Sequence, residues 1–234
     1  MITLMVRAAF FDFNGVLVDD EPLHLELIRR ILGEEGIPFA EEEYHERYLG
    51  LDDRACFTAI LQSTGRDAGL GAVMRLVTRK ASYYQDAIRR GGYPFFPGAV
   101  ELVRACHEAG LMLGVVSGAL HEEVEGGLDQ AGIRGRFKVV VTAEDVQAGK
   151  PDPQGYLLGL ERLNAQPPLP DRLVHPHEVV AIEDTPTGLT AATAASLTTL
   201  AVAQTYPSTA LEIADLVVES VAVLTVETLR RTFN

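Results

Sequence analysis

The stretch VRAAFFDFNGVLVDDEPLH, residues 6–24, opens on an apolar run from Val6 to Phe13 that stops at Asn14-Gly15. A short run with Val and Phe, ended by a turn-forming pair, predicts a buried strand followed by a turn. From Asp20 to about Arg90, apolar residues recur at helical spacing, as in Leu23, Leu27, Ile28 and Ile31 and again in Val73, Leu76 and Val77, with Gly and Pro between. That spacing predicts helices without strands. From Pro97 the pattern changes. Helix Ala99 to about Ala109 is followed by strand Met112 to Val116, a helix after Leu120, strand Lys138 to Val141 and helix Tyr156 to Leu163. Strand Val179 to Ile182, helix Leu189 to Ala195, strand Thr198 to Val202 and a last strand Leu216 to Val218 complete the series. Strands spaced by helices imply right-handed crossovers and a parallel sheet covered on both faces. The expected class is therefore α/β, a doubly wound parallel sheet, with an α-helical domain inserted after the first strand. The expected boundaries are 1–18 with 97–234 for the sheet domain and 19–96 for the helical one, with Gly91-Gly92-Tyr93-Pro94 and Pro97-Gly98 at the return. Asn164 to Pro176 reads as a Pro-rich loop of unusual length.

Composition narrows the function. The 234-residue chain is 47% hydrophobic, enough to bury a substantial core. Its formal net charge of −13 disfavours a nucleic-acid backbone as partner, because phosphate contacts need clustered Lys and Arg. For the same reason, a site for a small anionic ligand needs local positive charge or a metal. Cys56 and Cys106 lie far apart without metal-ligand spacing and read as free thiols of a reducing compartment. The opening MITLMVRAAFFDF is too short an apolar run to span a membrane and carries no cleavage signature, so no membrane partner and a cytoplasmic location are expected.

In open parallel sheets, ligands bind beyond the carboxyl ends of the strands. The polar residues there are Asp12, Asn14, Ser117, Lys150, Glu183 and Asp184. Singly, each has a plain structural role as a helix cap, turn residue or solvated charge. Their joint placement marks one candidate site, where a phosphoryl-transfer chemistry can be argued from the residues. A carboxylate nucleophile at Asp12 divides phosphoryl transfer into two easier steps. Because carboxylate and phosphate repel, a hard cation such as magnesium is needed between them. Ser117 and Lys150 supply a hydroxyl and a point charge for the remaining phosphoryl oxygens.

Four segments carry a family resemblance. FFDFNGVLVDDEPLH (residues 10–24) resembles the first motif of the haloacid dehalogenase superfamily, SGA (117–119) the second, GKPDPQGY (149–156) the third and AIEDTPTG (181–188) the fourth, in the family's order across nearly the whole chain. The insertion followed by FFPGAVELV (95–103) is similar to the branch of beta-phosphoglucomutase and phosphoglycolate phosphatase. The resemblance implies a Rossmann-type three-layer core with a helical cap. It also implies a magnesium-dependent phosphatase of small phosphorylated metabolites acting through an aspartyl-phosphate. Asp12, Asn14, Ser117 and Lys150 would be catalytic. Magnesium would be held directly by Asp12 and Asp184, helped by the Asn14 backbone carbonyl, with Glu183 acting directly or through water. Ser117, Gly118 and Lys150 would bind the phosphoryl group, and His24, Arg54 and Lys80 of the cap would touch the substrate. A phosphomutase is the nearest rival. A monomer would suffice to close the site.

One residue departs from the family pattern. A second aspartate, serving as general acid and then base, normally stands two residues after the nucleophile, where this chain has Asn14. A carboxamide cannot deliver a proton. Three readings stand open: Asp20 or His24 replaces the acid, the substrate's leaving group needs no proton, or the protein binds phosphate compounds with little turnover, whether by nature or because Asn14 was introduced. A phosphonate-cleaving variant would need an amine in the insertion, where Lys80 is the one lysine. In the helical run, Arg79-Lys80 otherwise reads as a solvated charge pair, and His175-Pro176-His177 as surface.

Overall fold

The computed structural model describes residues 5–231. Residues 1–4, part of the opening run considered above for a membrane span or leader, lie outside the described residues. The backbone forms two compact units, one comprising the chain up to Asp19 together with that from Pro94 onward, the other Asp20–Tyr93.

The first unit begins with β1 (Ala8–Phe11), whose four residues are all buried. The second unit follows with α1 (Glu21–Glu34), α2 (Glu41–Arg47), α3 (Asp53–Ser63) and α4 (Leu70–Gly91). The chain then returns to the first unit through α5 (Ala99–Glu108), β2 (Met112–Val116), α6 (His121–Gln130), β3 (Phe137–Val141) and α7 (Gln154–Ala165). Strand β4 (Val179–Glu183), α8 (Pro186–Ala194), β5 (Thr198–Val202), β6 (Leu216–Val218) and α9 (Val226–Arg231) complete it. The six strands pair in parallel in the order β3-β2-β1-β4-β5-β6. The connection leaves β1 for β2 on one side and reaches β4 on the other, so the topological switch point lies at the carboxyl end of β1, where this architecture binds ligands.

Central strands of a parallel sheet are apolar throughout because helices cover both faces, and β1 and β4 are buried at every position. Helix α7 packs on β2 and β3, α8 on β4 and β5, and α5 on β2. Strand β1 ends two residues earlier than its apolar run suggests. After the Asp12 N–H reaches the Ile182 carbonyl at 3.0 Å, the Phe13 carbonyl accepts from the N–H groups of Leu17 and Val18 at 2.9 and 3.0 Å. Those bonds curl residues 13–18 into a turn and end the ladder. Helix α7 runs into the expected loop as far as Ala165. The Asn164 carboxamide then pins the rest, accepting from the Val174 N–H at 2.8 Å and donating to the Val174 carbonyl at 3.0 Å. His175 and His177 are exposed, with their rings stacked.

In the helical unit, α4 packs on α1 and α3. Ile28, Ile31 and Leu32 on α1, Phe57 and Ile60 on α3 and Val73, Leu76 and Val77 on α4 belong to the unit's core. The boundaries of α1 and α3 are chemical: Pro22 occupies the first turn of α1, and Asp52 caps α3 by accepting the Ala55 N–H at 2.8 Å. No described helix is long and apolar enough to cross a membrane. Cys56 and Cys106 are buried free thiols.

Candidate functional site

Register builds the site. Phe11 pairs with Val115 on one side and Ile182 on the other, so Asp12, Ser117 and Glu183-Asp184 leave three adjacent strands at one carboxyl edge. Asp12, Glu183 and Asp184 are buried, with one carboxylate oxygen from each lying within 4.8 Å of the others. Lys150 reaches this group from the loop before α7. Its Nζ lies 2.6 Å from Asp12 Oδ2 and 2.6 Å from Glu183 Oε1. The loop is shaped by more than Pro151 and Pro153: the Gln154 Oε1 accepts the N–H groups of Gln147 and Ala148 at 2.7 and 3.0 Å. The Ser117 N–H donates to the Val141 carbonyl, and its Oγ accepts the Ala119 N–H at 3.1 Å. Gly118 beside it is exposed, and Asn14 is half-buried in the turn after Asp12.

Two contributors gave no separate signal in the sequence. Tyr156, fully buried in α7, donates its hydroxyl to Glu183 Oε1 at 2.5 Å, and its ring centroid lies 5.6 Å from Lys150 Nζ, within cation–π range. Gly188 is the second. Thr185 caps α8 by accepting the Gly188 N–H at 3.0 Å, and a Cβ on Gly188 would stand 2.0 Å from Glu183 Oε2. Since Lys150 and Tyr156 already hold Glu183, its carboxylate has no free direction in which to yield. Gly188→Ala should therefore destabilise the protein by about 1–3 kcal/mol, measured as a lower midpoint of urea unfolding. An unchanged midpoint would mean that Glu183 swings freely.

Fully ionised, three carboxylates facing one ammonium leave an excess of two negative charges in a buried space, a costly arrangement without a counter-charge. The titration behaviour reflects this. Burial, reinforced by the Asp12 and Glu183 charges, holds the Asp184 carboxyl well above the ordinary carboxylate range. Burial likewise lifts Glu183 to about 7. Burial alone would lower Lys150, but the Asp12 and Glu183 charges raise it above an ordinary lysine. Asp184 Oδ1 is buried and has no hydrogen-bond partner among the described residues. An orphaned carboxylate oxygen, an all-oxygen donor set and a double negative excess suit a hard divalent cation such as magnesium.

The candidates of the insertion fall into two environments. Lys80 is 1% exposed rather than solvated, with its ammonium against Asp53 Oδ1 and His24 Nδ1. Burial of a lysine requires such partners, and the helical spacing that placed Lys80 beside Arg79 did not reveal them. His24 Nε2 lies 3.1 Å from Asp20 Oδ2, which also accepts the Tyr84 hydroxyl at 2.5 Å. Asp20 Oδ2 is thus an acceptor for the Tyr84 hydroxyl and faces the His24 ring. Arg54 is exposed on α3, apart from this cluster in character.

Comparison with known proteins agrees with this geometry. A family model described as haloacid dehalogenase-like hydrolase matches residues 6–196. A phosphorylated carbohydrates phosphatase of Thermotoga maritima is 29% identical over 193 residues, covering 82% of each chain. Hexitol phosphatase B of Escherichia coli is 28% identical over 199 residues, 84% of this chain and 83% of that one. The crystal structure of CbbY from Rhodobacter sphaeroides in complex with phosphate superposes with a TM-score of 0.81 at 26% identity, covering 96% of this chain and 99% of that one.

Proposed function

From the premise that this chain belongs to the haloacid dehalogenase-like hydrolases, matched over residues 6–196, we propose that it is a magnesium-dependent phosphatase of small phosphorylated metabolites, with phosphorylated sugars or sugar alcohols as the favoured class. The observation that carries the reading is the Lys150 ammonium bridging Asp12 and Glu183 at 2.6 Å beside the orphaned Asp184 oxygen. Relatives named as phosphatases of phosphorylated carbohydrates and hexitols support the substrate class.

In this mechanism the Asp12 carboxylate attacks phosphorus, the bond to the leaving oxygen breaks, and an aspartyl-phosphate forms. Water then attacks the same phosphorus, releasing inorganic phosphate and restoring Asp12. Lys150, already in contact with Asp12, holds a phosphoryl oxygen, as do the hydroxyl of Ser117 and the backbone at Gly118; these groups oppose charge as it develops. Asp12, Glu183, Asp184 and the Asn14 carbonyl would hold the magnesium ion. That ion would supply the positive charge that lets a carboxylate approach a phosphate dianion. Tyr156 restrains Glu183. Exposed Arg54 of the helical unit is the foremost candidate for recognising the leaving group, with His24 and the buried Lys80 as further candidates. Asn14 stands where the family's proton donor stands, so protonation of the leaving oxygen falls to solvent or to the substrate's own acidity.

The test is a phosphate-release screen over hexose phosphates, hexitol phosphates and phosphoglycolate, run with Mg2+ and with EDTA. Release from at least one sugar or sugar-alcohol phosphate, abolished by EDTA, is the expected result. Isomerisation of hexose phosphates without release would replace the phosphatase with a mutase, and EDTA-insensitive release would remove the metal.

A further inference from the structure

The turn after Asp12 is held from a distant part of the chain. Gly15 has φ +72°, a region glycine enters without cost. Its N–H donates to the Val18 carbonyl at 2.9 Å, and its carbonyl accepts from Gln204 Nε2 at 2.8 Å. The carboxamide orientation of Gln204 is set from its other end, where Oε1 accepts the Val221 N–H at 2.7 Å and the Ser220 hydroxyl at 3.1 Å. With the peptide on either side of Gly15 anchored, the backbone torsions there are fixed, and so is the direction of the Asn14 carbonyl. The neighbouring residue acts on the other side of the same turn: the Thr205 hydroxyl lies beside the Asp184 carboxylate and favours its charged form. A Cβ at Gly15 would stand 1.9 Å from Asp184 Oδ2 and 2.8 Å from Thr205 Oγ1, so the turn packs against both the carboxylate and the hydroxyl.

We infer that Gln204 and Thr205, in the loop after β5, are positioning residues for the divalent cation: Gln204 aims the Asn14 carbonyl, and Thr205 occupies one Asp184 oxygen so that the orphaned Oδ1 faces the ion. The inference rests on the metal-dependent reading above. Neither residue touches the reacting atoms. Partners that orient metal ligands typically change metal affinity by about 10–100-fold when removed, whereas residues that merely fill space change folding stability instead.

The experiment uses Mn2+ alone as the probe, titrated into the metal-free full chain without substrate and followed by the electron paramagnetic resonance signal of free Mn2+. Thr205→Val and Gln204→Met keep side-chain size and remove the hydrogen bonds, while Thr205→Ser keeps the hydroxyl. Thr205→Val and Gln204→Met should each weaken Mn2+ binding by about 10-fold, Thr205→Ser should bind like the parent protein, and the metal-free melting temperature should not follow the same order. Equal Mn2+ affinity in parent and variants would overturn the positioning roles while leaving the metal site intact. A Thr205→Ser protein as weak as Thr205→Val would overturn the role of the hydroxyl. A parent protein that binds no Mn2+ would instead overturn the metal reading on which the inference stands. If Gln204→Met fails to fold, the Thr205 pair decides the outcome.

Discussion

Asp12→Asn should lower phosphate release at least about 10³-fold on the best substrate, since a carboxamide oxygen is not a competent nucleophile and the group acts as a unit with its neighbours. The fold should survive. Asparagine is nearly isosteric, and the change removes one of three crowded buried carboxylates, leaving Lys150 paired with Glu183 at 2.6 Å. The measurement is single-turnover phosphate release beside a urea unfolding curve. Activity retained within tenfold by a folded Asp12→Asn protein would overturn the nucleophile assignment, whatever the metal requirement.

The second large effect concerns Asn14. If the absent proton donor limits turnover, Asn14→Asp should raise kcat on an alkyl phosphate by about 10²–10⁴-fold, the usual worth of general acid–base catalysis. The gain should be smaller on p-nitrophenyl phosphate, whose leaving group departs without a proton. That contrast separates a proton-transfer role from a general repair of the site, which would raise both rates equally. A parent protein that already turns over its best substrate quickly, and is slowed by Asn14→Asp, would show that the missing acid is not the limitation. The environment of Asp20 strengthens the case for the variant. The Tyr84 hydroxyl donates to its carboxylate, and the same oxygen faces the His24 ring, so the nearest replacement acid in sequence is already engaged within the helical unit.

Elements were legible in the sequence where their signal was local. Runs rich in apolar residues such as Met112 to Val116 and Thr198 to Val202 coincide with β2 and β5 because a strand covered on both faces is mostly apolar. Deviations arose where hydrogen bonds rather than hydropathy end an element, as at Phe13, whose carbonyl turns from the sheet to the Leu17 and Val18 N–H groups. Lys80 shows the same limit. Its helical position was readable, but its burial depends on Asp53 and His24, which lie on other helices.

The sequence by itself determined the alternation of strands and helices, the place of the helical insertion, and the presence of Asp12, Ser117, Glu183 and Asp184 at strand ends, because each follows from patterns within about ten residues. Tertiary structure alone decided the partners. Lys150 meets Asp12 across 138 residues, Tyr156 meets Glu183 across 27, and Gln204 reaches Gly15 across 189. Those contacts depend on the order β3-β2-β1-β4-β5-β6 and on the paths of the loops after β3 and β5. Local periodicity encodes which face of an element is buried, but a side chain's hydrogen-bond partner is set by which distant segment the sheet order brings beside it.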